Sequence, residues 1–298
     1  MRVLVTGATG LIGRYTLALL RERGVAVRTF QRGATPGVEH VYGDVRTDRQ
    51  ALCRAADGCA ALVHLAGRGD VEASRRDPVG SAELNAGGAL HALEAARVAG
   101  AVFVLASSQR VYPLQPGPCH EDAPPAPDSP YGYAKWVAEL WCRMLGEQLG
   151  VASRVLRFFS VYGPGQQANG NSGVVSIFAR AALDGRPLVV ESAGRRDFTD
   201  ARDVARGILG AIEHARREGG YRVFNIATGQ GTSFHDLADT IVRLVDSPST
   251  IEVRLREPQG RDLVADVARA REQLGFSPCV RLRDGLEHYI QWLRQNCS

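Results

Sequence analysis

The chain has 298 residues, enough for one large α/β domain or a domain with a smaller partner lobe. Its 45% hydrophobic content is that of a globular protein, and a net charge of +4 spread over dispersed arginines excludes the clustered basic face that a nucleic-acid partner requires. The six cysteines (Cys53, Cys59, Cys119, Cys142, Cys279 and Cys297) form no C-x-x-C pair and stand at no zinc-ligand spacing from a histidine, so no metal site is expected and free thiols in a reducing, cytoplasmic compartment are. Residues 2–6 already read as an apolar strand, which leaves no room for a secretory leader, and no apolar run approaches the length of a membrane span.

The predicted elements alternate. After the strand 2–6 come a helix over 11–23 closed by Gly24, a strand over 25–30, a helix over 49–56 and a buried strand over 61–66. A helix over 83–99 leads to a strand over 102–107, and a Pro/Asp/Ser-rich loop over 113–130 precedes a helix over 131–149. The strand 151–159 is followed by a Gly/Asn-rich loop over 163–173, a helix over 174–185, a strand over 188–191 and a turn over 192–196. A helix over 202–216, a strand over 222–226 and helices over 234–244, 267–274 and 282–295 complete the chain. Strands alternating with helices imply crossover connections, hence a doubly wound parallel sheet. Strands buried on both faces lose polar alternation, as 61–66 does.

The first strand runs into Gly7-Ala8-Thr9-Gly10-Leu11-Ile12-Gly13, with glycines at 7, 10 and 13 and a helix following. A helix N-terminus carries partial positive charge and free backbone N–H groups, which suit a pyrophosphate. Side chains at Gly7 or Gly10 would obstruct that approach, and Gly13 lets the helix pack against the sheet. After the second strand an acid would bind ribose hydroxyls, whereas an arginine suits a 2′-phosphate. The sequence there is Val27-Arg28-Thr29-Phe30-Gln31-Arg32-Gly33: there is no acid, Arg32 is well placed for a phosphate and Arg28 is a second choice, so NADP is favoured over NAD.

Ser129-Pro130-Tyr131-Gly132-Tyr133-Ala134-Lys135 opens a helix, with Ser129 as N-cap and Pro130 in the first turn. Tyr131 and Lys135 share one face four residues apart. A tyrosine titrates near 10 when free; a neighbouring ammonium and the positive nicotinamide ring favour the phenolate, which would let Tyr131 exchange the proton of a carbinol while hydride moves. Ser107 and Ser108 end a parallel strand, where hydroxyls face the ligand crevice.

Together these residues resemble the extended short-chain dehydrogenase/reductase superfamily, in its NAD(P)-dependent nucleotide-sugar epimerase/dehydratase branch, along nearly the whole chain. Val5 to Gly13 resembles the cofactor loop, with Thr9, Leu11 and Ile12 beside the glycines; Gly43-Asp44-Val45 resembles the segment whose acid contacts adenine. Val63-His64-Leu65-Ala66-Gly67 is similar to the strand end against the adenosine, and Asn85 to a helix asparagine that supports the active site. The resemblance implies Ser108, Tyr131 and Lys135 as the catalytic set. It extends through Leu156-Arg157-Phe158-Phe159-Ser160-Val161-Tyr162-Gly163-Pro164-Gly165, Arg196-Asp197-Phe198-Thr199, Asp203-Val204, Phe224 to Ala227 and Ala270 to Phe276. It implies a Rossmann fold over residues 1–165, rejoined by 197–228, and a smaller C-terminal lobe from 166–196 and 229–298 in which Arg196 and Arg256 or Arg261 grip a nucleotide diphosphate. It also implies a homodimer through the helices 83–99 and 131–149, with no membrane partner.

Several positions depart from the family pattern. Ser160 stands for an asparagine, Pro113 for a glycine, Gln31 for the acid of NAD-bound epimerases, and Gln109-Arg110 for the Asp-Glu pair that eliminates water in sugar dehydratases. Without that pair dehydration is disfavoured. Three readings stand open: an epimerase of a nucleotide-linked sugar, an NADPH-dependent ketoreductase of such a sugar or another small carbonyl, and a non-catalytic dinucleotide-binding regulator.

Overall fold

A computed structural model describes residues 1–114, 117–166, 173–255 and 262–296. The first half contains β1 (Arg2–Thr6), α1 (Leu11–Glu22), β2 (Ala26–Gln31), β3 (Glu39–Tyr42), α2 (Arg49–Ala56), β4 (Ala61–His64), α3 (Val71–Arg76), α4 (Pro78–Ala82), α5 (Gly88–Val98), β5 (Val102–Ser108) and α6 (Pro130–Leu149). The second half contains β6 (Ser153–Phe158), β7 (Val161–Tyr162), α7 (Val174–Leu183), β8 (Leu188–Val190), β9 (Arg195–Asp197), β10 (Thr199–Asp200), α8 (Ala201–Glu218), β11 (Tyr221–Ile226), β12 (Gly231–Ser233), α9 (Phe234–Val245), β13 (Ile251–Val253), α10 (Ala268–Leu274) and α11 (Leu282–Asn296).

Seven strands form one parallel sheet in the order β11-β6-β5-β4-β1-β2-β3. One face packs Leu52, Ala89, Leu93, Ala138 and Cys142 from α2, α5 and α6; the other packs Leu17, Leu20, Val204, Ile208 and Ala270 from α1, α8 and α10. With both faces covered, the central strands β1, β4 and β5 carry apolar runs at 3–5, 61–63 and 102–106. The order reverses beside β1, so the carboxyl ends of β1 and β4 open onto the crevice where such sheets bind ligands. A separate core joins α7, α9 and α11, with Phe178, Leu188, Leu237, Ile241, Tyr289 and Ile290 buried in it.

The differences from the sequence-based elements have physical causes. The edge strand β3 is short and polar, with no period to read. Helices α3 and α4 are single turns fixed by side-chain caps, Ala73 N–H donating to Asp70 at 2.8 Å and Gly80 N–H to Asp77 at 2.9 Å. The helix expected over 83–99 begins with a π-helical turn at Glu83–Gly87. The turn expected over 192–196 is in part strand: Arg195–Asp197 pairs antiparallel with Gly231–Ser233, its charges held by Asp262 at 2.9 Å from Arg195. Among the described residues no helix is long and apolar enough to cross a membrane.

Candidate active site

The glycine loop is shaped by close contacts. Gly7 has φ +69°, and a Cβ there would lie 2.6 Å from the Ala66 nitrogen, so a side chain is excluded by the exit of β4 as well as by any ligand. A Cβ on Gly13 would lie 2.4 Å from the Gly7 oxygen. The expectation that Gly13 serves packing on the sheet is thereby corrected: it lets α1 rest on the loop itself. Gly10 caps α1, its N–H donating to Gly7 O at 3.1 Å. Thr9 N–H donates to the Gln31 side chain at 3.3 Å and Thr9 O accepts from Arg14 Nε at 3.0 Å, which ties the loop to β2 and α1. Leu11 and Ile12 begin α1 beside it.

A cavity of about 410 Å³ opens on one side of this loop, bordered by Gln31, Arg32, Asp44, Val45, Leu65 and Gly67 among others. Arg32 stands 3.9 Å from Asp44 and its side chain is 71% exposed, free to turn toward a ligand. Asp44 pairs with Arg46 at 2.8 Å, and that hydrogen bond holds its pKa down at about 2. The second phosphate candidate, Arg28, is not in this cavity. Its guanidinium is bound to Glu39 at 2.7 Å and to the carbonyls of Ala55 and Asp57, because a mid-strand position points it at the neighbouring strand and helix end. Gln31, where an acid was missing, uses its amide on Gly33 O and the Thr35 hydroxyl.

On the other side of the loop, a cavity of about 920 Å³ contains Ser108, Tyr131, Lys135 and Arg196. Ser129 caps α6, accepting from Gly132 N–H at 3.3 Å, and Pro130 occupies its first turn. A Cβ on Gly132 would lie 2.5 Å from the Arg110 carbonyl, so this glycine lets the start of α6 approach the turn after β5. Lys135 Nζ donates to Ala106 O at 2.9 Å and lies 6.0 Å from the centre of the Tyr131 ring. Both side chains are buried. Burial raises the Tyr131 pKa, against a hydrogen bond from Ser108 and the charge of Arg110, and burial lowers that of Lys135 to about 8. The lysine was expected to hold the phenolate; burial dominates instead, and the Lys135 charge is itself buried and committed to a backbone carbonyl.

Asn85 lies fully buried in the π-helical turn, accepting from Arg68 N–H at 3.2 Å and donating to Ser81 O at 3.1 Å. A Cβ on Gly67 would strike its Oδ1 at 2.6 Å and approach Lys135 Nζ at 3.3 Å. Asn85 therefore braces the loop after β4 against the lysine.

The spacing of motifs did not show what supports these groups from behind. Ser107 donates to the Glu139 carboxylate, and Arg157 pairs with Glu139 at 2.6 Å. Arg157 also donates to Glu121 O at 3.0 Å and stacks 4.6 Å over the ring of Tyr112, whose hydroxyl donates to Asn225 at 2.7 Å. The readable signal was an acid one turn beyond Lys135 in α6, Glu139, and a second arginine beside Arg154 in the buried strand β6, Arg157.

Arg196 faces the larger cavity with its guanidinium 5.3 Å from the centre of the Phe234 ring, and burial lowers its pKa to about 10. The next residue, Asp197, is fully buried and accepts from Thr228 N–H at 2.9 Å and Gly229 N–H at 2.8 Å, which fixes β9 to the exit of β11. Arg14, Arg68 and Arg110 also border this cavity and were not among the expected substrate residues. Arg256 and Arg261, like Cys297 and part of the loop 163–173, lie outside the described residues. Ser160, in place of the usual asparagine, holds φ +21° and accepts from Gln109 Nε2 at 3.1 Å.

Known proteins are similar to this chain in sequence and in fold. A UDP-glucose 4-epimerase of Mycolicibacterium smegmatis is 32% identical over 314 residues, spanning 99% of each chain. The solved UDP-glucose 4-epimerase of Thermotoga maritima, with UDP-glucose, superposes with a TM-score of 0.90 at 28% identity over the whole of both chains. MoeE5 in complex with UDP-glucose and NAD superposes with a TM-score of 0.89 at 31% identity, again over the whole of both. Residues 3–227 match the description of the NAD dependent epimerase/dehydratase family, and the chain belongs to that family.

Proposed function

We propose that this protein is an epimerase of a nucleotide-linked sugar that inverts a ring carbinol by reversible oxidation. The observation that carries this reading is the placement of Ser108, Tyr131 and Lys135 in one cavity with the glycine loop. A nicotinamide dinucleotide bound along that loop supplies the chemistry of accepting a hydride from the sugar carbon and returning it to the opposite face. Tyr131 takes the carbinol proton and later restores it. Ser108, in the same cavity, holds the reacting oxygen in line. Lys135 keeps a positive charge beneath the ring, and with the cofactor's charge added it favours the phenolate that burial alone opposes. Arg196 binds the diphosphate of the substrate, together with Arg256 or Arg261. The 4-epimerase activity named for the relatives makes a UDP-hexose the first substrate to test.

Residues Gly7, Thr9, Gly10, Leu11, Ile12 and Gly13 hold the pyrophosphate of the cofactor, with Arg32, Asp44 and Val45 at its adenosine end and Leu65, Ala66, Gly67 and Asn85 along its middle. The missing acid at Gln31 and the exposed Arg32 favour NADP within the nicotinamide class, although MoeE5 was solved with NAD. Residues 1–165 and 197–228 form the dinucleotide-binding part, and 166–196 with 229–298 the substrate lobe. Apolar residues left at the surface of α5 and α6, Val98, Leu140 and Leu149, support a homodimer through those helices.

The test is incubation with a panel of nucleotide sugars, with chromatographic separation of epimers. Interconversion without net accumulation of reduced cofactor supports epimerisation. Stoichiometric consumption of NADPH with a keto-sugar would identify a reductase instead.

A further inference from the structure

The wall of the larger cavity includes the end of the turn Gly163–Gln166, through Gly165 and Gln166. In the division proposed above, this turn is where the chain passes from the dinucleotide-binding part to the substrate lobe. Its own stiffness is slight. Gln166 N–H donates to Gly163 O at 3.1 Å, and Gly163 and Gly165 have φ of +148° and +93°, values open to glycine among many others. Two hydroxyls hold the turn from outside. Tyr15, near the start of α1, donates to Pro164 O at 3.0 Å, and Tyr289 of α11 donates to Gln166 O at 2.9 Å. Tyr15 is half-buried. Burial, and then the charge of Asp200, raises its pKa to about 12, so the hydroxyl keeps the proton it donates.

The residue before Tyr15 reaches the glycine loop. Arg14 Nε donates to Thr9 O at 3.0 Å, and its Nη1 lies 3.3 Å from where a Cβ on Gly165 would stand. Two consecutive residues of α1 therefore touch the cofactor loop and the turn in the wall of the larger cavity. Packing of Arg14 on Gly165 limits how close the turn can come, but only the Tyr15 hydrogen bond, being directional, orients it. We infer that Tyr15 is a positioning residue for the nucleotide sugar: its hydroxyl fixes the Gly163–Gln166 turn to the helix that follows the glycine loop, and so sets this wall of the cavity relative to the cofactor. This rests on the nucleotide-sugar reading above and adds a residue to it. Tyr15 takes no part in the hydride or proton steps, and the glycine loop keeps its own ties to Gln31 and Arg14. Loss of the hydroxyl is therefore felt in substrate affinity, and not in cofactor affinity or in the chemical step.

The experiment uses Tyr15→Phe in the full-length protein, which keeps the ring and removes only the hydroxyl. With the nucleotide sugar converted fastest in the panel above, at saturating dinucleotide, KM should rise about three- to tenfold, the range for one lost hydrogen bond, while kcat and the dinucleotide Kd stay within about twofold. Hydrogen exchange at the Gln166 amide, which reads the turn without any ligand, should be faster in the variant, with the amides of α1 unchanged. An equal KM in the two proteins, a fall in kcat at unchanged KM, or a dinucleotide Kd weakened in parallel overturns the inference and leaves the epimerase reading standing. If the wild type converts no member of the panel, the epimerase reading fails. The calorimetric Kd of UDP-glucose and the exchange at Gln166 then decide the inference on their own: a weaker Kd together with faster exchange in the variant upholds it, and equality in either overturns it.

Discussion

The two cavities flanking the glycine loop are built by different means. The smaller cavity is shaped by close backbone approaches, with Arg32, Asp44 and Arg46 at its border: Gly7 and Gly67 are glycine because a Cβ would strike Ala66 or Asn85, and Gln31 supports the loop by accepting from the Thr9 N–H. The larger cavity adds to the same loop charged side chains delivered by separate elements, Arg110 from the turn after β5, Lys135 from α6 and Arg196 from β9. Main-chain sites demand particular residue types at fixed spacing, because backbone geometry allows few substitutes. Side-chain sites demand only that some long cation reach the right point, so different sequences can furnish them. A cofactor site is therefore a spacing, and a substrate site is a convergence.

This contrast can be broken most severely at Tyr131. Tyr131→Phe removes the proton carrier and leaves the glycine loop untouched, so turnover should fall by about 10²–10⁴-fold while dinucleotide affinity stays within about twofold. Epimer exchange and a fluorescence titration of cofactor measure the two. A parallel loss of cofactor binding would show that the two cavities are not separable in this way.

The next largest effect belongs to the buried pair behind them. Glu139→Ala leaves Arg157 charged, buried and without its carboxylate, and frees Ser107 beside Ser108. Breaking such a pair costs about 3–5 kcal/mol. Chemical denaturation should register that loss, and turnover should drop with it because the serine strand end is no longer held. A denaturation midpoint matching the wild type would mean that the pair carries no net stability.

His64 offers a smaller, pH-dependent test under the floor common to both cavities. It is fully buried, its Nδ1 within 2.9 Å of the Thr6 hydroxyl and its Nε2 without a partner among the described residues. Burial first, and the charge of Lys135 second, lower its pKa to about 3. The unfolded histidine titrates near 6.5, so between pH 6.5 and 3 the unfolded chain binds the proton that the folded one refuses. Stability from this group is intact above 6.5 and falls as pH drops, by up to about 1.4 kcal/mol per pH unit. In His64→Asn the fall in denaturation midpoint between pH 6.5 and 5 should be shallower than in the wild type; equal slopes would rule His64 out as the source.

The same contrast explains what could be read from the residues alone. The parallel sheet, the glycine loop and the Ser108–Tyr131–Lys135 set were legible because each is a local pattern whose chemistry forces residue type and spacing. The strands β3 and β13 and the helices α3 and α4 were not, since they are too short for a hydrophobic period and are held by tertiary pairing or a single cap. The Gln109-Arg110 pair was legible only as the loss of two carboxylates. That Arg110 faces the same cavity as Arg196 depends on a sheet crossing and a lobe closing, and no spacing between residues 110 and 196 encodes it. Glu139 and Arg157 were likewise visible as charges, but each stands among other charges of its own element, and their pairing joins a helix and a strand that meet only in the fold.

The smallest effect tests Arg32, which borders the smaller cavity with Arg46 and Arg68. Arg32 stands where the second strand ends, largely in solvent and loosely paired with Asp44 at 3.9 Å. A 2′-phosphate bound there would be held through water-exposed charge, so the gain is modest and falls with added salt. Arg32→Ala should weaken NADP by roughly three- to tenfold at low ionic strength and leave NAD nearly unchanged, since NAD offers that residue no phosphate to grip. Isothermal titration of both cofactors with both proteins, at low and high salt, separates this from a general loss of binding. If the substitution weakens the two cofactors equally, Arg32 acts through Asp44 on the adenine and not on a phosphate, and the adenosine end would then be read by the Gly43-Asp44-Val45 backbone turn. In that case even the cofactor preference would follow from main-chain geometry, and the division between the two cavities would be sharper than the exposed arginine suggests.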